Sequence, residues 1–393
     1  MRRLRVHPGM DRTCKRSLTA AGLLLGLLAA GASARSTAPD LAPVREATRT
    51  LVADYALDGA SVRLARGGQV LHLDHSGSYG PDTRVAIASA SKWLSALTLA
   101  RLVEAGTLRW DSRVGEYFPD APAATRDITL VQLFSHTSGI GIDDAGCLSS
   151  RQVALQDCAR QILALPLEWT PGTAFAYGGN SMQVAGAMAE IASGRSWDAL
   201  FIAEMVVPLG LSATDWTAGA AAPGYVPNGN PRIGGGARST LDDYGRVVDM
   251  LLAGGLHEGE PFLQPQTLAT MALDRTVGLA IAASPVAGYG YGYGVGQWVE
   301  ARDARGASYR VSSPGAFGFT PWVDWRSGSN GVILVSGNGS AMRDDLTALE
   351  NLCLRQLDFV RRTQRSARGA SRLPPSRAPT ATAAALDAER RAH

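Results

Sequence analysis

The chain has 393 residues, 46% of them hydrophobic and 19% charged, with a formal net charge of +3 from 38 basic and 35 acidic residues. That surplus sits at the ends: residues 1–34 hold six basic residues and one acid, and residues 361–393 hold eight and two, which leaves 24 basic against 32 acidic residues between them. The intervening part, net −8, offers no basic footprint for nucleic acid, and its length suits one large domain rather than several independent ones.

In chain order, Met1 to Ser17 carry Arg2, Arg3, Arg5, Arg12, Lys15 and Arg16 against Asp11, and "LTAAGLLLGLLAA" and "GASA" follow. A basic segment, an apolar run and small residues describe a signal peptide over 1–34, cut after Ala34. The apolar run is shorter than the roughly 20 residues that span a bilayer. No stable membrane span is expected after cleavage, and the protein is expected in the periplasm or secreted. The next stretch, "SVRLARGGQVLHLDHSG", alternates apolar residues on either side of Gly-Gly and reads as two short strands. Ser91 to Gly106 carries Leu94, Leu97, Leu99, Leu102 and Val103 at helical spacings with a Gly stop, which predicts a helix.

Cys147 and Cys158 bracket "LSSRQVALQD". In an exported chain so close a pair is expected to form a disulfide, and closing so short a loop contributes roughly 3 kcal/mol or less. Two unrelated thiols are the alternative, and Cys353 is left over as a buried apolar side chain. "SMQVAGAMAEIASG" predicts a further helix, as does "STLDDYGRVVDMLLAGG", with Ser239 or Thr240 as N-cap and Gly254 as stop. "GAFGFTPWVDW" and "NGVILVSG" read as adjacent antiparallel strands, and "LTALENLCLRQLDFVRR" as an amphipathic helix. Residues 361–393, rich in Ala, Arg, Ser and Pro, are expected to be a disordered tail behind a domain of residues 35–360. Strands at both ends with helices between them argue an α+β domain, its sheet joining N- and C-terminal parts around a helical insertion.

The chemistry is concentrated at "IASASKWLSAL". Only two residues are lysine, Lys15 inside the signal segment and Lys92, while arginine supplies every other basic position. Ser89 precedes Lys92 by three, which puts both side chains on one helical face at an N-terminus rich in unpaired N–H groups. That arrangement suits acyl transfer by a hydroxyl nucleophile, an amine that takes its proton, and N–H donors for the oxyanion. The amine must lose its own proton, which buried Lys can do and Arg cannot.

With "GASVRLARGGQVLHLDHSG", "TRVAIASASKWLSAL", "ITLVQLFSHTSGI", "PGTAFAYGGNSMQVAGAMAEIASG", "ARSTLDDYGRVVDMLLAGG" and "YGYGVG" in that order, the chain resembles the β-lactamase-related serine hydrolases from about Leu41 to Phe359. These are the class C β-lactamases, the D-Ala-D-Ala carboxypeptidases and similar serine esterases. The resemblance implies an antiparallel sheet flanked by helices, an all-helical region beside it, and an active site in the cleft between them. It implies Ser89 as acylated nucleophile, Lys92 as its partner and Tyr177 as the phenol that shares proton transfer, a nearby lysine cation favouring the phenolate. The family often has Asn two residues after this Tyr. Gly179 stands there, so Asn180 is carried as the substrate-holding amide, with a helix cap as the alternative. Where the family's β-lactamases and carboxypeptidases carry Lys-Thr-Gly, this chain has Ser313-Pro314-Gly315. Gly315 would admit the substrate, and the Ala316 and Ser89 N–H groups would form the oxyanion hole.

His136 in "SHTSG" reads as a hydrogen-bonded loop residue, and no G-x-S-x-G elbow exists. His72, His75 and His257 lack metal-ligand spacing, so no metal is assigned, nor any other cofactor. "GYGYGYGVG" lacks a following Lys-Ser/Thr and reads as a loop entering a strand. Trp93 and Trp322 are candidate walls of an acyl pocket, and Arg310 a candidate substitute for the missing lysine. The expected function is an exported serine hydrolase acting through an acyl-enzyme on small esters, its partner a small-molecule acyl substrate. A D-Ala-D-Ala carboxypeptidase or β-lactamase, and a non-catalytic module that binds wall fragments or a partner, stay open, as does the oligomeric state.

Overall fold

The computed structural model describes residues 40–143, 145–217 and 228–370. The signal peptide expected over residues 1–34, and residues 371–393, lie outside them. Helix α1 (Ala42–Asp54) leads into β1 (Gly59–Arg66) and β2 (Gln69–Gly77), which pair antiparallel around Gly67 and Gly68. Both glycines have positive φ, as a tight hairpin with right-twisted strands requires. Helix α2 (Ser91–Glu104) follows, then α3 (Leu155–Leu163), α4 (Asn180–Ser193) and α5 (Leu241–Leu252). The chain returns to the sheet through β3 (Gly292–Tyr293), β4 (Trp298–Arg302), β5 (Ser308–Ser312), β6 (Thr320–Asp324) and β7 (Ser329–Leu334), and closes with α6 (Arg343–Ala370).

The seven strands run in the order β2-β1-β7-β6-β5-β4-β3, each neighbour antiparallel. The N-terminal hairpin therefore adds to the edge of the C-terminal meander, the joining that the strand pattern predicts. Alternation along β7 explains the layers. Val332 and Leu334 face one core, with Val247 and Val248 of α5 and Leu94 and Leu97 of α2. Ile333 faces the other, with Val44 of α1 and Leu349 and Leu357 of α6. A period of two on a sheet covered on both faces produces this. Residues of α2, α3 and α4 share the first core, so the helical region and the sheet pack through one continuous apolar mass.

Local signals explain the boundaries. Thr240 caps α5 by accepting from the Asp243 N–H at 3.2 Å, and Gly254 follows with φ +71°. Helix α6 overruns the sequence expectation, continuing to Ala370 through ten residues assigned to the tail. The segment "RRTQRSARGA" has four Arg and two Ala, strong helix formers that propagate an established helix without any apolar periodicity.

Cys147 and Cys158 are joined, with Cα atoms 5.4 Å apart, and Cys353 is free and buried. The bond ties the loop before α3 to that helix, and Asn230 holds the same loop through the carbonyls of Cys147 and Ser150 at 2.7 and 2.8 Å. Peptide mapping without reduction is expected to recover the two cysteines as one cross-linked pair, with Cys353 alkylated only after unfolding. Replacing both by Ser is expected to cost up to about 3 kcal/mol in denaturant unfolding. Recovery of both as free thiols from oxidised protein would contradict the pairing.

Candidate active site

Ser89 lies in a 3-10 turn (Ala88–Ala90) that runs directly into α2. The residue before it, Ala88, has φ +44°, a left-handed conformation that costs strain for any side chain with a Cβ. Three hydrogen bonds hold this turn in place. Ser91 Oγ donates to the Ala88 carbonyl at 2.6 Å and accepts from the Ala237 N–H at 3.0 Å, while Tyr244 Oη donates to the Ala90 carbonyl at 2.8 Å.

One turn on, Lys92 is 4% exposed. Its Nζ donates to the Gly234 carbonyl at 2.6 Å and to Ser89 Oγ at 3.0 Å. Among the described residues no carboxylate pairs with it. Burial, and then the positive charge of exposed Arg232, lower its pKa to about 7. Lys92 is thus able to exist as the free amine near neutrality, hydrogen-bond distance from a hydroxyl. Gly296, in the glycine-rich stretch, makes room for it. A Cβ there would come within 2.7 Å of the Lys92 carbonyl oxygen and 2.5 Å of Ala96, and its φ is +72°.

Tyr177 stands just before α4, and the Lys92 ammonium lies 4.7 Å from the centre of its ring. Ser89 and Tyr177 line the same cavity and Lys92 reaches both, so Ser89, Lys92 and Tyr177 converge. The expected phenolate is not supported. Burial pushes the phenol well above its ordinary range, outweighing the opposing effects of Ser89 and the Arg343 charge. The phenol therefore keeps its proton and is placed to donate it.

The Ser313–Ala316 segment follows β5 and packs against the nucleophile turn. Ser313 Oγ donates to the Ser89 carbonyl at 3.3 Å. A Cβ on Gly315 would stand 2.1 Å from the Ile87 carbonyl oxygen, so only glycine allows this approach. Gly315 and Ala316 line a cavity of about 200 Å³ together with Ser89 and Tyr177.

Asn180 departs from its expected role. Its Nδ2 donates to the carbonyls of Gly141 and Asp143 at 2.8 and 2.7 Å, so both amide protons hold a loop and none is left for a substrate carbonyl. It is the first residue of α4, with Gly179 at the cap position. Arg310 is likewise committed: its Nε donates to Asp324 at 2.9 Å, across the β5–β6 pair. Trp93 and Trp322 are fully buried in the two cores and are not among the residues that line this cavity.

The residues that do wall the cavity were hidden in sequence. Tyr289, Tyr291 and Trp298 line it, two of them from the repeat "GYGYGYGVG". Arg343, in the first turn of α6, lines it too, and brings a cation from 254 positions beyond Ser89. Glu300 and Glu350 also contribute, both with pKa raised, in each case chiefly by burial, to which the Glu300 charge adds at Glu350.

A family model described as Beta-lactamase matches residues 44–354. The solved structure of a putative beta-lactamase from Bacteroides dorei superposes with a TM-score of 0.70 at 30% identity, covering 80% of this chain and 99% of that one. Penicillin-binding protein 4 of Amycolatopsis lactamdurans is 32% identical over 167 residues, which is 39% of this chain and 41% of that protein. Esterase EstB of Burkholderia gladioli is 29% identical over 181 residues, 39% of this chain and 46% of that protein. The chain thus spans less than half the length of the curated relatives it matches.

The charge of Arg232 on Lys92 has a measurable consequence. If Lys92 acts as base, kcat/KM rises with pH as it deprotonates, with a limb near 7. Arg232→Gln removes a repelling charge, so the limb is expected to move to higher pH, by less than about one unit because Arg232 is exposed and screened. Added salt should shrink the difference. A limb that stays in place, or moves down, would show that Arg232 does not act on the titrating group.

Proposed function

Because the chain belongs to the β-lactamase family of serine hydrolases, we propose that it is an exported esterase that transfers small acyl groups to water through Ser89. The observation that carries this reading is the 3.0 Å contact between Ser89 Oγ and Lys92 Nζ within an aromatic-walled cavity. In the proposed cycle neutral Lys92 takes the Ser89 proton as Oγ bonds to the ester carbonyl carbon. The backbone N–H groups of Ser89 and Ala316 receive the oxyanion. The carbonyl–oxygen bond to the leaving alcohol breaks, and that alcohol departs with a proton passed from Lys92 by way of the Tyr177 phenol. Water then attacks the acyl carbon and its proton goes to Lys92; the bond from that carbon to Ser89 Oγ breaks, Lys92 returns the proton to Oγ, and the acid is released. Export is supported by the Cys147–Cys158 bond, which persists in oxidising compartments. Among the described residues no helix is long and apolar enough to cross a membrane.

Two features favour esters over peptides. The third-motif position holds Ser313, whose hydroxyl is turned to the Ser89 carbonyl, and both Asn180 amide protons are occupied by the 141–143 loop. Groups that would hold a peptide or β-lactam are thus absent at those two positions. Arg343 favours a second reading, a carboxypeptidase-like activity on substrates bearing a carboxylate, since it places a cation in the same cavity.

Comparing kcat/KM for a neutral p-nitrophenyl ester, a cephalosporin and a D-Ala-D-Ala peptide separates the two. The neutral ester is expected to lead, and Arg343→Ala to leave it within a few-fold of the parent. Ser89→Ala should abolish turnover, and Lys92→Arg should cost about as much as Lys92→Ala, on the order of 10²-fold or more. Preference for either carboxylate substrate, lost in Arg343→Ala, would establish the second reading instead.

A further inference from the structure

His136 is buried, sits beside the site, and has no part in the proton transfers above. We propose that it is the positioning residue that holds Tyr177 over Ser89 and Lys92. The inference rests on the role given to Tyr177 under the proposed function.

The two neighbours of Tyr177 are both tied to this one residue. The Ala176 N–H donates to the His136 carbonyl at 3.0 Å, and the Gly178 N–H donates to His136 Nδ1 at 3.4 Å. The Tyr177 N–H itself goes to the Ala283 carbonyl at 3.0 Å, so three successive backbone donors around the phenol are fixed. The imidazole also meets the phenol ring directly, with centroids 4.6 Å apart. Trp298 stacks on the same ring at 5.0 Å, and Tyr293 closes the group, 4.9 Å from His136 and 5.8 Å from Tyr177.

His136 holds this place against two local costs. Its φ is +57°, in the left-handed region that side chains rarely adopt. With Nδ1 as acceptor the proton must be on Nε2, and that atom is buried with no hydrogen-bond partner among the described residues. A residue that only filled the loop would be relieved by Gly or Asn, which accept this backbone geometry more readily. The imidazole gives what neither offers together: an acceptor at the Nδ1 position and a flat ring against the phenol. Burial and the Lys92 charge drive its pKa well below the ordinary histidine value, so Nδ1 remains an acceptor throughout the pH range of catalysis.

The test uses the full chain and a p-nitrophenyl ester, reading kcat, KM and Tm. The variants are His136→Asn, His136→Gln, His136→Phe, Tyr177→Phe and His136→Phe/Tyr177→Phe. Asn keeps an acceptor where Nδ1 lies, Gln moves it away, and Phe keeps only the ring. We expect His136→Phe and His136→Gln to lower kcat about 10-fold or more with KM little changed, since small misplacements of a reacting group are costly. His136→Asn should recover kcat to within about threefold, because the backbone anchor matters more than the ring contact. In the Tyr177→Phe background, His136→Phe should add no further loss. Losses that multiply, full kcat in both His136→Phe and His136→Gln, or an Asn variant as impaired as Gln with Tm falling in parallel would each overturn the proposal. If Tyr177→Phe itself keeps full kcat, the role of Tyr177 fails first and that of His136 with it. Where Phe is not accommodated by the fold, the Asn–Gln pair decides alone.

Discussion

A lysine ammonium buried without a carboxylate partner among the described residues is the constraint on which the site depends. Lys92 has one carbonyl and one hydroxyl within hydrogen-bond reach and Arg232 near enough to repel its charge. Water would solvate the cation far better than this environment does, so the interior favours the free amine. An arginine could not respond in this way, which explains why a chain that otherwise writes its positive charges as arginine keeps lysine here. The surrounding architecture protects the condition. Gly296 brings the strand-entry loop against the Lys92 backbone, and Ser95 ties α2 to the Ile233 carbonyl at 2.7 Å, beside the Gly234 that receives the amine.

The strain in the fold is placed to match. Of the few non-glycine residues with positive φ among those described, Ala88 directly precedes Ser89 and His136 touches Tyr177. Each departs from favoured backbone geometry where a reactive group must be aimed, and each is over-determined by hydrogen bonds from other elements. The sheet supplies the third side. Antiparallel pairing of β5 and β6 sets the segment after Ser312 against the nucleophile turn, and Gly315 lets the two backbones touch.

Much of this was legible in the residues themselves. Four of the sheet's strands, the antiparallel pairing of the last two, and four helices follow from periodicity and stop signals, because those depend on neighbours a few positions apart. The convergence of Ser89, Lys92 and Tyr177 was legible through resemblance, and the first pair through spacing alone. Long-range packing was not. Trp93 and Trp322 carry the right side chains for a pocket wall but point into the two cores, a matter of which face of helix or strand they occupy. Arg310 was the nearer arginine to the third motif, yet strand register gives it to Asp324, and the cavity receives Arg343 from the closing helix. Nothing in "GYGYGYGVG" announces that its tyrosines line the cavity, since that depends on the loop's path past Trp298. Asn180 was misplaced by one position: as the first residue of α4 its amide reaches the 141–143 loop instead of the nucleophile.

The central claim, that Lys92 is a neutral amine near pH 7, is open to direct reading because the sequence contains only Lys15 besides it. Labelling lysine with ¹³C at Cε gives at most two resonances, and Lys92→Arg identifies which belongs to the site. The account predicts that the Lys92 signal titrates with a midpoint about 7, well below the ordinary lysine value, in protein free of substrate. A midpoint near that of an exposed lysine, about 10.4, would mean that Lys92 is a fixed cation and that the base for Ser89 lies elsewhere.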